Sequence, residues 1–476
     1  MTALRRASCR VPQTPSGRLF RVTMALLLAT TALGVWTAAA PAALPPIYHV
    51  YEIVLENESA STTFGPASPA PYLSKTLRAE GAYLPNYYGV GHESNDNYIA
   101  MISGQAPNAE TQSDCQTYGD FPVNATGSFG QAQGAGCLYP SSVPTIASQF
   151  GSAGLTWRDY NESMGADPAR ESAVCGHPGV GSRDNTQSAT TTDGYAARHD
   201  PFVYFHSIID DTALCDTHVV NLDALPQDLA NPDAPNYAFV TPDLCDDGHD
   251  ASCAGGRPGG LAAADSFLRT WVPRITGSPG FRRGGGLLII TFDEAATSDT
   301  RACCGEIPGP GSPLPGINGP GGGDVGAVLL SPYIAPGTVS MQPYNHYSML
   351  RSVEDLFRLG HIGYAALPGG RSLGSDVFAC APSAVPVAGA GKLPAGSEIQ
   401  HVRLLRRGGV TQLTLASVGN SALRVLVSTP HRRATVIRRS LVPCRGYAVP
   451  LPAGHHHVVS VTASAGGGSQ GIALHY

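Results

Sequence analysis

The sequence predicts an α/β fold, a mainly parallel sheet sandwiched by helices, followed by a small all-β module. Three observations lead there. Over residues 44–382, short apolar runs rich in β-branched and aromatic residues alternate with amphipathic stretches. Three of these runs end in acidic residues, and open α/β sheets build their sites beyond the carboxyl ends of strands. After Cys380 the pattern shifts to alternating runs split by Gly, Asn and Pro, the signature of antiparallel strands.

Residues 1–43 carry the order of an export signal. Arg5, Arg6, Arg10, Arg18 and Arg21 precede an apolar run from Met24 to Trp36, and the small residues Ala38 to Ala43 follow. The run is short for a membrane span, so cleavage near Ala40 to Ala43 is expected, with an uncleaved anchor as the alternative. The strands expected next are Tyr48–Leu55, Tyr237–Val240, Leu287–Phe292 and Ala327–Leu330. Helical patterns lie at Asn97–Ser103, Val143–Phe150, Ala262–Val272 and His346–Leu359. In the last of these Met349, Leu350, Val353, Leu356 and Phe357 form one apolar stripe. Gly305–Gly323 is a Gly/Pro-rich loop that follows Asp293–Glu294 in the chain, and it reads either as a wall of a site or as a surface excursion. Residues 383–397 read as a linker and 398–476 as an accessory β-rich module, sandwich-like, whose His455–His457 run is read as solvated.

The chain's 476 residues allow one large core and a smaller unit. A net charge of −6 gives no basis for nucleic acid or an anionic membrane as the main partner. Eleven cysteines, with Cys9 in the leader, leave an even number in an exported chain and point to disulfides. Local pairs would be Cys115–Cys137, Cys175–Cys215 and Cys245–Cys253, with Cys303 and Cys304 reaching Cys380 and elsewhere, although spacing alone does not fix connectivity. No CxxC pair occurs, which argues against a zinc cluster.

Three constellations could carry chemistry. Glu56 and the adjacent Asp293–Glu294 end buried strands, where uncompensated carboxylates are costly unless a cation joins them. Carboxylates holding a divalent metal would suit phosphoester hydrolysis, which needs charge neutralised on phosphoryl oxygens. Solvated helix capping is the plain alternative. Ser94 lies in Gly91-His92-Glu93-Ser94-Asn95-Asp96-Asn97 at a helix start, where backbone N–H groups favour an anion. Here Ser94 or Asn95 as a simple cap is the rival. The third is the acidic stretch Asp243 to Asp250, which includes Asp247 and His249 and reads as a metal or proton-donor site, or as a calcium-stapled loop.

Taken together the segments resemble the phosphoesterase family of secreted acid phosphatases and bacterial phospholipases C, within the alkaline-phosphatase-like superfamily. Six blocks carry the resemblance, in chain order across residues 48–380. Leu55-Glu56-Asn57-Glu58-Ser59 with the following Phe64-Gly65 resembles the opening ENxSF...FG signature. GHESNDNYIAMISG at Gly91–Gly104 resembles the GHxSxPNYxAxxSG block of the acid phosphatase branch. RHDPFVYF at Arg198–Phe205, TPDLCDDGHD at Thr241–Asp250, ITFDE at Ile290–Glu294 and YNHYSMLRSVEDLF at Tyr344–Phe357 resemble the remaining four.

The resemblance implies a metal-dependent hydrolase of small phosphoesters, an acid phosphatase with a phosphoserine intermediate. The alternatives are a phospholipase C or other phosphodiesterase, or an exported non-catalytic binding protein. It implies Ser94 as nucleophile, and a divalent metal ion on Glu56, Asp293 and Glu294 with Asp247 and His346 as further ligands. Asn57 and His92 would contact substrate, Asn97 a phosphoryl oxygen, and His199 and His249 the phosphate, the metal or the leaving group. Asn95-Asp96 depart from the family's proline before Asn97, Asp243 replaces a usual Asn, and Asp324-Val325-Gly326 replaces Arg-Val-Pro.

Overall fold

A computed structural model describes residues 44–231, 234–305 and 307–378, and the backbone of seven strands between 399 and 474. The expected leader, the linker and His455–His457 lie outside the described residues.

The central sheet contains β1 (His49–Leu55), β2 (Ala82–Leu84), β3 (Trp157–Asn161), β4 (Val219–Asn221), β5 (Tyr237–Thr241), β6 (Gly286–Phe292), β7 (Ala327–Leu330) and β8 (Thr338–Val339). Their spatial order is β8-β2-β7-β6-β1-β5-β3-β4. The five strands from β6 to β4 run parallel, while β7 is antiparallel to both β6 and β2. Every residue of β1, β5 and β6 is buried, because the sheet is covered on both faces. That is why these strands read as continuous apolar runs rather than as alternation, and all four expected strands are present. β3 was not expected, since WRDYN puts an Arg and an Asp in a strand. Arg158 pairs with Asp228 at 2.5 Å at the sheet's margin, and buried Asp159 accepts from Asn161 Nδ2 at 2.9 Å.

Helix α1 (Ser94–Ser103) is buried along its whole length and begins three residues before the expected start. It ends at Gly104 in the left-handed region, φ 65°, where a Cβ would stand 2.6 Å from the Ile362 carbonyl. Helix α2 (Gly260–Gly277) covers the expected Ala262–Val272. Helix α3 (His346–Phe357) follows the Asn345 cap, whose side chain accepts from Ser348 N at 2.9 Å. The C-terminal strands pair into two antiparallel sheets, of three and four strands.

Disulfides join Cys115–Cys137, Cys175–Cys215 and Cys245–Cys253 as expected. For Cys303 and Cys304 the expected partner Cys380 lies outside the described residues. They bond to each other, since neighbours in the chain need no distant partner to bring their sulfurs together. No helix among the described residues is long and apolar enough to cross a membrane.

One strand residue breaks the apolar rule. Glu52 of β1 is buried, Tyr237 Oη donates to its Oε2 at 2.9 Å, and its Oε1 has no hydrogen-bond partner among the described residues. Burial pushes its carboxyl up to about 7, with the tyrosine bond opposing. A raised folded pKa favours the protonated native state. The stabilisation is therefore full below the unfolded carboxyl range and is lost as pH rises through about 7. The loss is on the order of 3 kcal/mol. Denaturant midpoints between about pH 5 and pH 8 should fall more steeply for the wild type than for Glu52→Gln. Parallel pH profiles would refute the assignment.

Candidate active site

The carboxyl ends of β1, β5 and β6 are tied to one another by main chain. Glu56 N donates to the Asp247 carbonyl at 2.9 Å, and Asp293 N donates to the Leu55 carbonyl at 2.9 Å. Three acidic residues thus leave adjacent strand ends into one small volume, and the start of α1 delivers Ser94 to the same place.

Glu56 is the hub. Ser94 Oγ donates to its Oε1 at 2.8 Å. Around that same oxygen stand His199 Nε2 at 3.0 Å, Asn57 Nδ2 at 3.3 Å and Arg198 Nη2 at 3.5 Å. Its other oxygen, Oε2, faces His249 Nδ1 at 3.4 Å. Burial alone would push the Glu56 carboxyl up, but His199, His249 and Arg198 hold it well below the usual carboxylate range. Asp247 shows the reverse: burial, then the neighbouring Glu56 charge, push its carboxyl well up. His249 is raised to about 9 by its bond to Glu56, against the opposing effect of burial. His199 is lowered by burial, with Glu56 opposing, and its ring stacks on Tyr98 of α1 at 4.9 Å between centroids.

Asp293 Oδ1 accepts from Asn57 N at 3.0 Å and Glu294 N at 2.6 Å. Asn57 makes its bond from the left-handed region, φ 58°, which Asn tolerates better than most residues. Burial, then the Glu56 charge, raise the Asp293 carboxyl well above its ordinary value, while the Asn57 N–H and the Ser94 hydroxyl oppose this. Glu294 Oε2 lies against His92 Nδ1.

Three residues expected to touch substrate or metal have their polar atoms engaged elsewhere. Asn97 Oδ1 accepts from Val90 N at 2.8 Å and Gly91 N at 3.1 Å, and its Nδ2 donates to the Gly91 and Glu93 carbonyls at 2.9 and 3.0 Å. It fastens the loop that carries Ser94. His92 uses Nδ1 on Glu294 and Nε2 on the Asp299 carbonyl at 3.1 Å. His346 sits between Tyr87 Oη, 3.1 Å from Nδ1, and the Asp293 carbonyl, 2.5 Å from Nε2. Burial lowers it to about 4, so it is neutral. Gly91 is needed for closeness: a Cβ there would lie 2.6 Å from the buried Asp96 carboxylate. Part of the Gly305–Gly323 loop borders the site, since His92 N donates to the Pro315 carbonyl at 3.0 Å and Gly322 N to the Gly89 carbonyl at 3.1 Å.

Arg198 and Asp114 have no counterpart among the residues expected from sequence. Arg198 precedes His199, and Asp114 precedes the disulfide cysteine Cys115, but neither position alone marks a site. Their Nε–Oδ2 distance is 3.4 Å.

The residues fit a divalent cation. Glu56, His199 and Asp247 offer ligand atoms all within 4.8 Å of one another. Asp247 Oδ2 and Asp293 Oδ2 are buried without a hydrogen-bond partner among the described residues, and Glu56 Oε2 has only His249 Nδ1 at 3.4 Å. Such oxygens are costly unless a cation compensates them. Glu162, Asp243 and Asp246 form a second acidic group, in which Arg257 Nη2 stands 3.3 Å from Asp243 Oδ2.

The model of the phosphoesterase family matches residues 50–360, and the chain belongs to that family. It is a phosphoester hydrolase. A phosphatidylinositol-3-phosphatase of Mycobacterium tuberculosis is 25% identical over 358 residues, covering 74% of this chain and 93% of that protein. A phosphate-repressible acid phosphatase of Penicillium chrysogenum is 26% identical over 245 residues, 52% of this chain and 47% of that one. An acid phosphatase of Aspergillus fumigatus is 25% identical over 223 residues, covering 47% and 40%. The chain spans about half the length of these fungal relatives. Among solved structures, a protein in the alkaline phosphatase superfamily from Vibrio parahaemolyticus aligns with a TM-score of 0.39 at 11% identity, over 84% of this chain and 83% of that one.

Proposed function

We propose that the protein is an exported, metal-dependent phosphomonoesterase that works through a phosphoserine on Ser94. One observation carries the reading: Ser94 Oγ rests on an ionised, buried Glu56 at 2.8 Å, with His199, Arg198 and His249 around the same carboxylate. The printed names of the relatives, a phosphatidylinositol-3-phosphatase and acid phosphatases, support a phosphomonoester substrate. The basic, apolar and small-residue order of residues 1–43 supports export.

Ser94 Oγ gives up its proton along its bond to Glu56 Oε1 and forms a bond to phosphorus as the P–O bond to the leaving group breaks. The start of α1 would offer the phosphoryl oxygens its backbone N–H groups other than that of Asn95, which Asp114 holds. His249, half-exposed and with its pKa raised by its bond to Glu56, would give the departing oxygen its proton. Water then attacks the phosphoserine, releases phosphate and restores the Ser94 hydroxyl. Asn97 fixes the nucleophile loop, His92 orients Glu294, and neutral His346 fixes the Asp293 main chain. Glu56, Asp247, Asp293 and Glu294, with His199, would hold a divalent cation, which when bound would draw charge from the phosphoryl oxygens and favour the serine alkoxide.

Acid quenching during turnover of a ³²P-labelled aryl phosphate should leave label on the peptide that contains Ser94. Stripping the protein with a chelator should remove both label and turnover, and adding back single divalent metals should restore them. Label on another residue, or full turnover after verified metal removal, would overturn this mechanism.

A further inference from the structure

We propose that Arg198 selects dianionic phosphomonoesters over diesters at this site, and that Asp114 is its positioning residue. The inference rests on the phosphoester hydrolase reading of the Ser94 site and names the substrate class that the site prefers.

Arg198 Nη2 and Ser94 Oγ share one atom, Glu56 Oε1, at 3.5 and 2.8 Å, so the guanidinium stands beside the nucleophile. The side chain is 9% exposed, and its Nε makes no hydrogen bond within the described residues. Nη1 donates to the Gln187 carbonyl at 2.9 Å, while the Nε and Nη2 edge faces the Asp114 and Glu56 carboxylates at 3.4 and 3.5 Å, too far for a close pair with either. Asp114 Oδ2 lies 3.4 Å from Nε.

The support behind the arginine is itself anchored. Asp114 Oδ1 accepts from Asn95 N at 2.9 Å, and Asn95 Nδ2 donates to the Arg198 carbonyl at 3.1 Å. The residue next to the nucleophile therefore holds both the arginine main chain and its acidic partner. Gln187 Nε2 donates to the Asp114 carbonyl at 2.8 Å and closes the circuit. Asp114 and Cys115 both occupy the left-handed region, φ 53° and 49°, and Cys115 is disulfide-bonded to Cys137. Such a conformation persists only where its surroundings fix it.

The chemistry follows from what a buried guanidinium requires. It is always charged and pairs best with two oxygens of one anion. A phosphomonoester offers two charges on three non-bridging oxygens. A diester replaces one of those oxygens with an ester group and loses one charge, so part of the fork is left buried and unpaired.

The test compares p-nitrophenyl phosphate with bis(p-nitrophenyl) phosphate, which share a leaving group, in the metal-loaded wild type and in Arg198→Gln and Arg198→Lys. Arg198→Gln should lower kcat/KM on the monoester roughly 100-fold and shift the monoester-to-diester ratio toward the diester by at least about tenfold. Arg198→Lys keeps the charge without the fork, so it should recover only part of the loss. Asp114→Asn should shift the ratio in the same direction by less. Inorganic phosphate binding, read by calorimetry, should weaken in step with the monoester loss. Equal losses on both esters with unweakened phosphate binding would make Arg198 a support for Glu56 alone and overturn the proposal. If Arg198→Gln does not fold, the Lys variant decides: an unchanged ratio overturns, and a shifted ratio supports. Should the wild type turn over neither ester, the hydrolase reading fails. Arg198 is then judged on phosphate binding, which the Lys variant must weaken for the proposal to stand.

Discussion

Replacing Ser94 with Ala should lower kcat on an aryl phosphate by at least about 10³-fold while the protein stays folded. In the proposed mechanism the hydroxyl forms the covalent bond, and the mutation removes one oxygen without disturbing the helix start. Ala lacks the donor to Glu56 Oε1, yet that oxygen keeps His199 at 3.0 Å and Asn57 at 3.3 Å. The thermal midpoint should therefore move little. Ser94→Cys separates a nucleophile from a cap, because a thiol retains nucleophilicity with altered pH dependence. Steady-state turnover and circular dichroism on the two variants check both halves. Wild-type turnover in Ser94→Ala would remove serine from the chemistry.

Glu56→Gln should cost more than activity. The carboxylate is the anionic centre to which Arg198, His199 and His249 turn, and the amide keeps its shape while removing its charge. Leaving a buried guanidinium with Asp114 as its remaining close partner is destabilising by on the order of 3 kcal/mol. Turnover should fall by at least about 10³-fold. Metal bound per protein, measured by elemental analysis after dialysis, should fall with it. A variant that keeps full metal content and turnover would show that Glu56 is not the hub of the site. His249 supplies an internal control: without the carboxylate its raised pKa should return toward the ordinary histidine range, visible by NMR titration.

The strands that hold the site were legible because burial on both faces leaves a continuous apolar run, as in LLIITF before Asp293. The acidic residues after β1, β5 and β6 come together as their strand-end positions suggested, with Glu56, Asp247 and Asp293 near Ser94. The strand β3 was hidden because Arg158 and Asp159 find partners only in the folded chain. Arg198 was hidden for a related reason. It stands 142 positions from Glu56 in the chain, and nothing local shows that its guanidinium turns inward. The contacts that Asn97, His92 and His346 make were equally out of reach, because a polar residue in a site block looks the same whatever it bonds to in the folded chain. Cys303 and Cys304 show the same limit: adjacency was visible, but mutual bonding was not.

Of the two main-chain bonds at the site, Asp293 N to Leu55 O continues the sheet's ladder past its last strand residues, and Glu56 N to Asp247 O ties the end of β1 to the loop after β5. Exchange of these amides with solvent is expected to require opening of the middle of the sheet. The site and the core therefore belong to one cooperative unit. Partial denaturation removes catalytic geometry and sheet together, so a half-denatured sample is a mixture of whole sites and none, with no population of folded molecules whose acidic residues have drifted apart.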